Sequence, residues 1–299
     1  LHIFHSHAIR KALVRLLPLT AISSRPDIKL GEMTAGRDQR IMRLKDQIAL
    51  VTGGGKGIGR VIALRLAADG ARVAVTGRHQ ADLDDTLALI QKEGGRGIAI
   101  AANVADEKKI GELFNSVRRQ LGAIRMLVNN AGIAGPTASV GQMNRASWDE
   151  VLAINLTGPM LCCRAVLPDM LAQGGGKIIN IGSVAGKRAY ALRSPYAVSK
   201  WGLIGFTLTL AQEVGANNIQ VNIVNPGPVE GERLRRVIEE RAKELGQPAK
   251  GIENYYLEGT ALKRFVAPED VAATVAFLAS SEADNITGQS IDVSAGHSL

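Results

Sequence analysis

From residue 48 onward, short apolar runs alternate with longer segments whose apolar positions recur every three to four residues, a rhythm missing before Met42. The runs predict strands near 48–52, 72–76, 97–101, 126–129, 177–181, 219–224 and 289–293. Between them the pattern predicts helices near 58–69, 80–93, 106–120, 147–172, 196–214 and 268–280. Strand alternating with helix over this length calls for right-handed crossovers and a sheet covered on both faces. The expected fold is therefore α/β: a doubly wound, Rossmann-type, mostly parallel seven-stranded sheet in a single domain spanning 42–299. One stretch breaks the rhythm, Pro226–Val266, with a strongly charged helix around Glu232–Leu245 followed by Tyr255-Tyr256. Residues 228–264 are read as an insertion that acts as a substrate lid.

Composition narrows the picture. Aromatic residues make up 4% and there are 33 glycines, a balance that suits tight βα turns and aliphatic strands. The formal charge is +8, but residues 1–41 hold seven Lys/Arg against three Asp/Glu and so account for +4 of it. The remainder is mildly basic, with no basic run interleaved with aromatics, so no nucleic-acid partner is expected. No stretch of 18 apolar residues is found, and no membrane association is expected. Residues 1–41 read as a non-essential or disordered N-terminal extension; the basic, apolar piece Ile9–Leu19 leaves organellar targeting as the alternative. His2, His5 and His7 are read as a terminal cluster, and no metal site is expected. Cys162 and Cys163 are adjacent, poorly placed to pair with each other, and fit packing roles in a reducing, cytoplasmic compartment.

The first strand runs into Thr52-Gly53-Gly54-Gly55-Lys56-Gly57-Ile58-Gly59, and a helix follows at once. Glycines let backbone approach a pyrophosphate closely, and the free N–H groups and dipole at a helix start attract the anion. The second strand ends in Gly77-Arg78, where a site for NAD usually carries an acid for the ribose 2′-hydroxyl. With that acid missing, Arg78 and Lys56 are assigned to a 2′-phosphate, so NADP(H) is the expected cofactor and NAD(H) the alternative. Reducing a carbonyl consumes a proton as well as a hydride, and Tyr196-Ala197-Val198-Ser199-Lys200 offers a proton donor. Four residues apart on a helix, Lys200 shares a face with Tyr196 and lowers its ordinary pKa of about 10. Ser183 follows the strand at 177–181, where its hydroxyl can hold a substrate oxygen. Asn155 is a polar residue inside a long apolar helix, and an amide there needs a partner, a water or a bend in the helix. Arg233, Arg235 and Arg236 of the charged helix are read as a solvated face, with contact to an anionic substrate as the alternative.

These motifs, with Asn129-Asn130-Ala131-Gly132 after the fourth strand, resemble the short-chain dehydrogenase/reductase family over nearly all of residues 44–296. The resemblance implies a carbonyl reductase or alcohol dehydrogenase, similar to 3-oxoacyl-carrier-protein reductases. Tyr196 would be the general acid/base. Lys200 would lower its pKa and bind the nicotinamide ribose, Ser183 would orient the substrate, and Asn155 would hold a relay water. Thr52, Gly53, Gly55, Lys56, Gly57, Ile58, Gly59, Arg78, Asn103, Val104, Asn129, Asn130, Ala131, Gly132, Pro226, Gly227 and Val229 would line the cofactor. Helices 147–172 and 196–214 would build a homotetramer interface, a dimer being the smaller alternative. Three positions depart from the family pattern: Asn103 replaces an Asp, Gly231 replaces a Thr after Pro226-Gly227, and the tail reads Asp292-Val293-Ser294-Ala295-Gly296. Alternatives to a reductase are an alcohol, sugar or cyclic-diol dehydrogenase working oxidatively, or a non-catalytic dinucleotide sensor.

Overall fold

Seven strands form one sheet: β1 (Ile48–Thr52), β2 (Arg72–Gly77), β3 (Arg96–Ala101), β4 (Met126–Asn129), β5 (Gly176–Ile181), β6 (Ile219–Pro226) and β7 (Ser290–Val293). Their order across the sheet is β3-β2-β1-β4-β5-β6-β7, and every neighbouring pair is parallel. All seven lie where the apolar runs predict them, within two residues at either end. This is a computed structural model, and it describes residues 43–297. The expectations for residues 1–41 and for a domain start at Met42 lie outside the described residues.

Alternation along each strand sorts the side chains into two cores. Ala49 and Val51 of β1, Val73 and Val75 of β2, and Met126 and Val128 of β4 share one face with α1 (Gly57–Ala68), α2 (Gln80–Lys92) and α9 (Pro268–Ala279). Ile48, Leu50, Ala74 and Leu127 point the other way, against α3 (Glu107–Gln120), α5 (Gly158–Ala172) and α6 (Ser194–Val214). Strands buried on both faces explain why β1, β5 and β6 carry so few exposed residues.

The expected helix 147–172 is two helices. α4 (Arg145–Leu152) passes through a π turn at Ala153–Thr157 into α5, and Asn155 sits within that turn. The continuous helical segment Arg145–Ala172 is long and apolar enough to cross a bilayer, but half of its most apolar window is buried. Leu161, Cys162, Cys163, Val166 and Met170 pack in the sheet's second core. Burial pushes both thiols up, Cys163 to about 12 against the pull of a hydrogen bond from Asn129, so both cysteines stay neutral packing groups.

The insertion is a helix pair, α7 (Glu232–Leu245) and α8 (Ala249–Glu258). Gly246, in the left-handed conformation, ends α7. Ile238, Ala242, Ile252 and Tyr256 form a small core between the pair. The sequence pattern misses α8, because only Ile252 and Tyr256 are apolar and buried on it and Gly251 weakens its helical signal.

Candidate active site

The sheet order reverses between β1 and β4, and the expected site residues gather at the C-terminal ends of β1 through β6 around that crevice. At the end of β1 the backbone does the shaping. Gly53 and Gly57 adopt left-handed φ values of 64° and 53°. A Cβ on Gly59 would sit 2.1 Å from the Gly53 carbonyl oxygen, so only glycine closes this turn. The N-terminus of α1 has no side-chain cap and no acid in its first turn, which leaves its N–H groups to an anion. A tight cradle opening on an uncapped helix start fits the pyrophosphate of a dinucleotide.

The neighbouring residues brace this turn. Thr52 Oγ1 accepts from the backbone N–H groups of Asn130 and Ala131, each at 3.0 Å. The Asn130 amide donates to the carbonyls of Thr52 (2.9 Å) and Gly53 (3.1 Å). The Asn130 side chain thus holds the loop. Asn129 is buried and donates to Asn180 Oδ1 at 2.9 Å, tying β4 to β5. Asn103 Oδ1 accepts from the Ala105 N–H at 3.1 Å, and Val104 packs against Gly158, both at the end of β3. Gly227 donates to the Val293 carbonyl at 3.0 Å and lies against Ser294, while Val229 bridges to Val266. Gly231, the departure from the family Thr, has φ 135° and ψ −179°, a conformation essentially restricted to glycine, and it opens α7.

The two cations assigned to a 2′-phosphate differ. Lys56 Nζ lies 3.0 Å from Asp82, whose charge offsets its own. Arg78 is exposed and forms no ion pair among the described residues. Sequence reading missed Asp82 because it sits a helix away, on α2.

The catalytic candidates converge. Tyr196 is in the first turn of α6 and half-buried, and Lys200 is one turn further on and buried, with Nζ 5.9 Å from the phenol ring centre. Lys200 Nζ donates to the Ile181 carbonyl at 2.8 Å, which fixes the ammonium at the end of β5. Ser183 Oγ accepts from the Ala185 N–H at 3.1 Å, leaving its own proton to donate. Asn155 is fully engaged: Oδ1 accepts from Ile133 N–H at 2.8 Å, and Nδ2 donates to Ile133 O at 2.9 Å and Ser199 Oγ at 3.1 Å. A Cβ on Gly132 would lie 3.1 Å from Asn155 Oδ1 and 3.8 Å from Lys200 Nζ, so the end of β4 joins the two.

The electrostatics suit proton transfer. Burial works to raise the Tyr196 phenol, but Arg233, Lys200, a hydrogen bond with Ser183 and Arg193 together hold it below the usual tyrosine range. Burial brings Lys200 down to about 8, with nearby Tyr196 opposing that fall and Arg233 adding to it.

Arg233 is the correction to the reading of the charged helix as a solvated face. Its guanidinium carbon lies 5.6 Å from the Tyr196 ring centre. Arg236 keeps to the expected pattern, in an exposed pair with Glu232 at 3.0 Å. Residues to which the sequence assigns no specific role complete the wall: Arg193 donates to Thr137 Oγ1 at 2.6 Å, and the Tyr190 and Tyr256 hydroxyls hydrogen-bond at 2.6 Å. The last contact joins α8 to the loop before α6.

A glycine cradle on β1 and a phenol held between cations on α6, in one crevice, define a dinucleotide-dependent oxidoreductase. Comparison with known proteins carries this further. The short chain dehydrogenase family model matches residues 47–242. The 3-oxoacyl-[acyl-carrier-protein] reductase of Staphylococcus epidermidis is 38% identical over 251 residues, covering 83% of this chain and 97% of that protein. Among solved structures, NAD+-bound xylitol dehydrogenase superposes with a TM-score of 0.83 at 29% identity, over 85% of this chain and 100% of that one. Actinorhodin polyketide ketoreductase with NADPH superposes with a TM-score of 0.81 at 33% identity, over 84% and 97%. The chain belongs to the short-chain dehydrogenase/reductase family. It is an NAD(P)-dependent oxidoreductase that transfers a hydride between nicotinamide and a carbonyl or secondary alcohol.

Proposed function

We propose that the protein is an NADPH-dependent carbonyl reductase in which Tyr196 gives the proton to the substrate oxygen. When bound, the nicotinamide coenzyme supplies the hydride to the carbonyl carbon. Ser183 donates to the carbonyl oxygen and orients it toward the Tyr196 hydroxyl. As the phenol proton leaves, Lys200 and Arg233 stabilise the phenolate that remains; the side chain of Asn155 is taken up by Ile133 and Ser199, so the backbone of Asn155 is where the relay water that reprotonates Lys200 would bind. The observation that carries this reading is the phenol held between cations beside the glycine cradle. The choice of NADPH is supported by Arg78, exposed and without an ion pair among the described residues, at the end of a β2 that carries no acid.

The similarity to an acyl-carrier-protein reductase and a polyketide ketoreductase makes β-keto thioesters the first compounds to assay, with ketones, sugars and cyclic diols beside them. The similarity to a xylitol dehydrogenase supports the oxidative alternative. Measuring NADPH and NADH consumption and the reverse reactions across that panel tests the reading. Reduction of a carbonyl with NADPH preferred is expected; an enzyme that works only on alcohols, or prefers NADH, refutes it. Val198, Trp201 and Leu208 are exposed on α6 and support assembly through that helix, as a homotetramer or a dimer. Sedimentation of the wild type against Trp201→Glu checks this: the variant is expected to lose the assembly.

A further inference from the structure

Around Tyr196 the positive charges outnumber the negative. Arg233 is exposed on α7, reaches over the Tyr196 ring, and forms no ion pair among the described residues. Arg193 is only 3% exposed. It donates to Thr137 and reaches Glu240 only at 3.5 Å, on a carboxylate whose side chain is 44% exposed. Its Nε is buried without a partner. Arg241 lies 5.7 Å from the Tyr190 ring and 5.9 Å from the Tyr255 ring, and one of its terminal nitrogens is likewise buried and unpartnered. Guanidinium donors buried without acceptors are costly, and a fold that merely packed these arginines would surround them with carboxylates. Among the described residues, Glu240 alone pairs with them. The chemical complement of such a wall is an oxyanion, which a guanidinium fork binds with two parallel hydrogen bonds.

We propose that Arg233 and Arg193 bind a carboxylate or phosphate carried by the substrate, so that the preferred substrate is an acidic carbonyl or hydroxy compound rather than a neutral one. The inference rests on Tyr196 as the proton donor, since that assignment puts the reacting carbonyl beside these arginines. Arg241 is a positioning residue that holds Tyr190 and Tyr255 against the wall. Anion binding also serves the chemistry. Arg233 is the foremost of the groups that lower the Tyr196 phenol. An anion that offsets its charge moves Tyr196 back toward the protonated form that carbonyl reduction needs.

The test is calorimetric titration of succinate, inorganic phosphate and dimethyl succinate into wild-type, Arg233→Met and Arg233→Lys protein, each saturated with NADP+ so that the coenzyme's own anion sites are filled. Succinate or phosphate is expected to bind the wild type, and the tighter of the two tells carboxylate from phosphate; the neutral diester is expected not to bind. Arg233→Met should weaken binding about ten- to a hundredfold and Arg233→Lys less, with unfolding temperature unchanged because the side chain is exposed. Turnover should follow: acetoacetate over methyl acetoacetate, or dihydroxyacetone phosphate over dihydroxyacetone, with the preference lost in Arg233→Met. If neither anion binds the wild type, or both variants bind as the wild type does, the anion site is wrong, and reduction of neutral carbonyls would leave the reductase assignment standing. If no carbonyl, charged or neutral, is reduced, the reductase assignment itself falls.

Discussion

The turn proposed for the pyrophosphate is shaped by backbone, and the wall proposed for the substrate is shaped by side chains. The turn after β1 works because Gly53, Gly57 and Gly59 carry no side chain, so that carbonyls, amide groups and a helix start come within reach of a phosphate. It is seated in the larger core, with strands buried on both sides. The substrate end is walled by Arg193, Arg233, Tyr190 and Tyr256, two of them supplied by a helix pair whose own core is a handful of residues. The lesson is a division of labour. A part of the ligand shared by many reactions is met by a geometry that tolerates almost no substitution, while the part that varies is met by exchangeable side chains on a lightly anchored element.

That contrast can be broken in order of expected effect. Tyr196→Phe removes the proton donor shared by both ends and should lower kcat about 10²- to 10⁴-fold while leaving NADPH affinity near wild type. Binding measured by coenzyme fluorescence separates this from a collapsed site, and full activity in the variant would end the assignment. Gly59→Ala drives a Cβ into the Gly53 carbonyl. It should cost about 1–3 kcal/mol of stability and most of the coenzyme affinity, read by thermal unfolding with and without NADPH. An equivalent change on the insertion, Tyr255→Ala at an exposed position, should move KM and leave that affinity alone. Arg78→Ala should shift the NADPH/NADH preference about ten- to a hundredfold. Lys56→Ala, its charge already offset by Asp82, should change the preference less than about threefold. Equal effects from the two would show that the Lys56–Asp82 pair opens when coenzyme binds.

The pH dependence joins the two ends. Carbonyl reduction uses the Tyr196 phenol and alcohol oxidation uses its phenolate. With the phenol held below its usual range, reduction should fall and oxidation should rise with pH ahead of an ordinary tyrosine. Above about 8 the Lys200 ammonium loses its proton and its hold on the phenolate weakens, so the gain in oxidation should flatten there. Rate profiles in both directions check the sign.

The coenzyme end was legible from the sequence because its constraints are local. Each glycine is dictated by the backbone within the same turn, and Tyr196 and Lys200 meet because they are one helical turn apart. The central strands β1, β4, β5 and β6 were legible because burial on both faces leaves apolar runs, while the half-buried edge strands β3 and β7 were placed by the spacing of the helices between them. The substrate end was largely hidden. Arg193 meets Thr137 across 56 residues and Glu240 across 47, and Tyr190 meets Tyr256 across 66. No periodicity encodes such pairings. The π turn at Asn155 was foreshadowed only by a polar residue in an apolar helix, and Asp82 was missed because its partner Lys56 lies before α1, with a helix and a strand between them.

The central claim is that one phenol is primed by the cations around it, and it can be tested without any substrate. The chain holds four tyrosines, Tyr190, Tyr196, Tyr255 and Tyr256. Ultraviolet titration of the folded protein should reveal one tyrosine ionising below the ordinary range, absent in Tyr196→Phe and shifted upward in Arg233→Met. Burial holds Tyr190 above that range, so it cannot supply the early signal. No early-ionising tyrosine, or one that persists in Tyr196→Phe, would contradict the account.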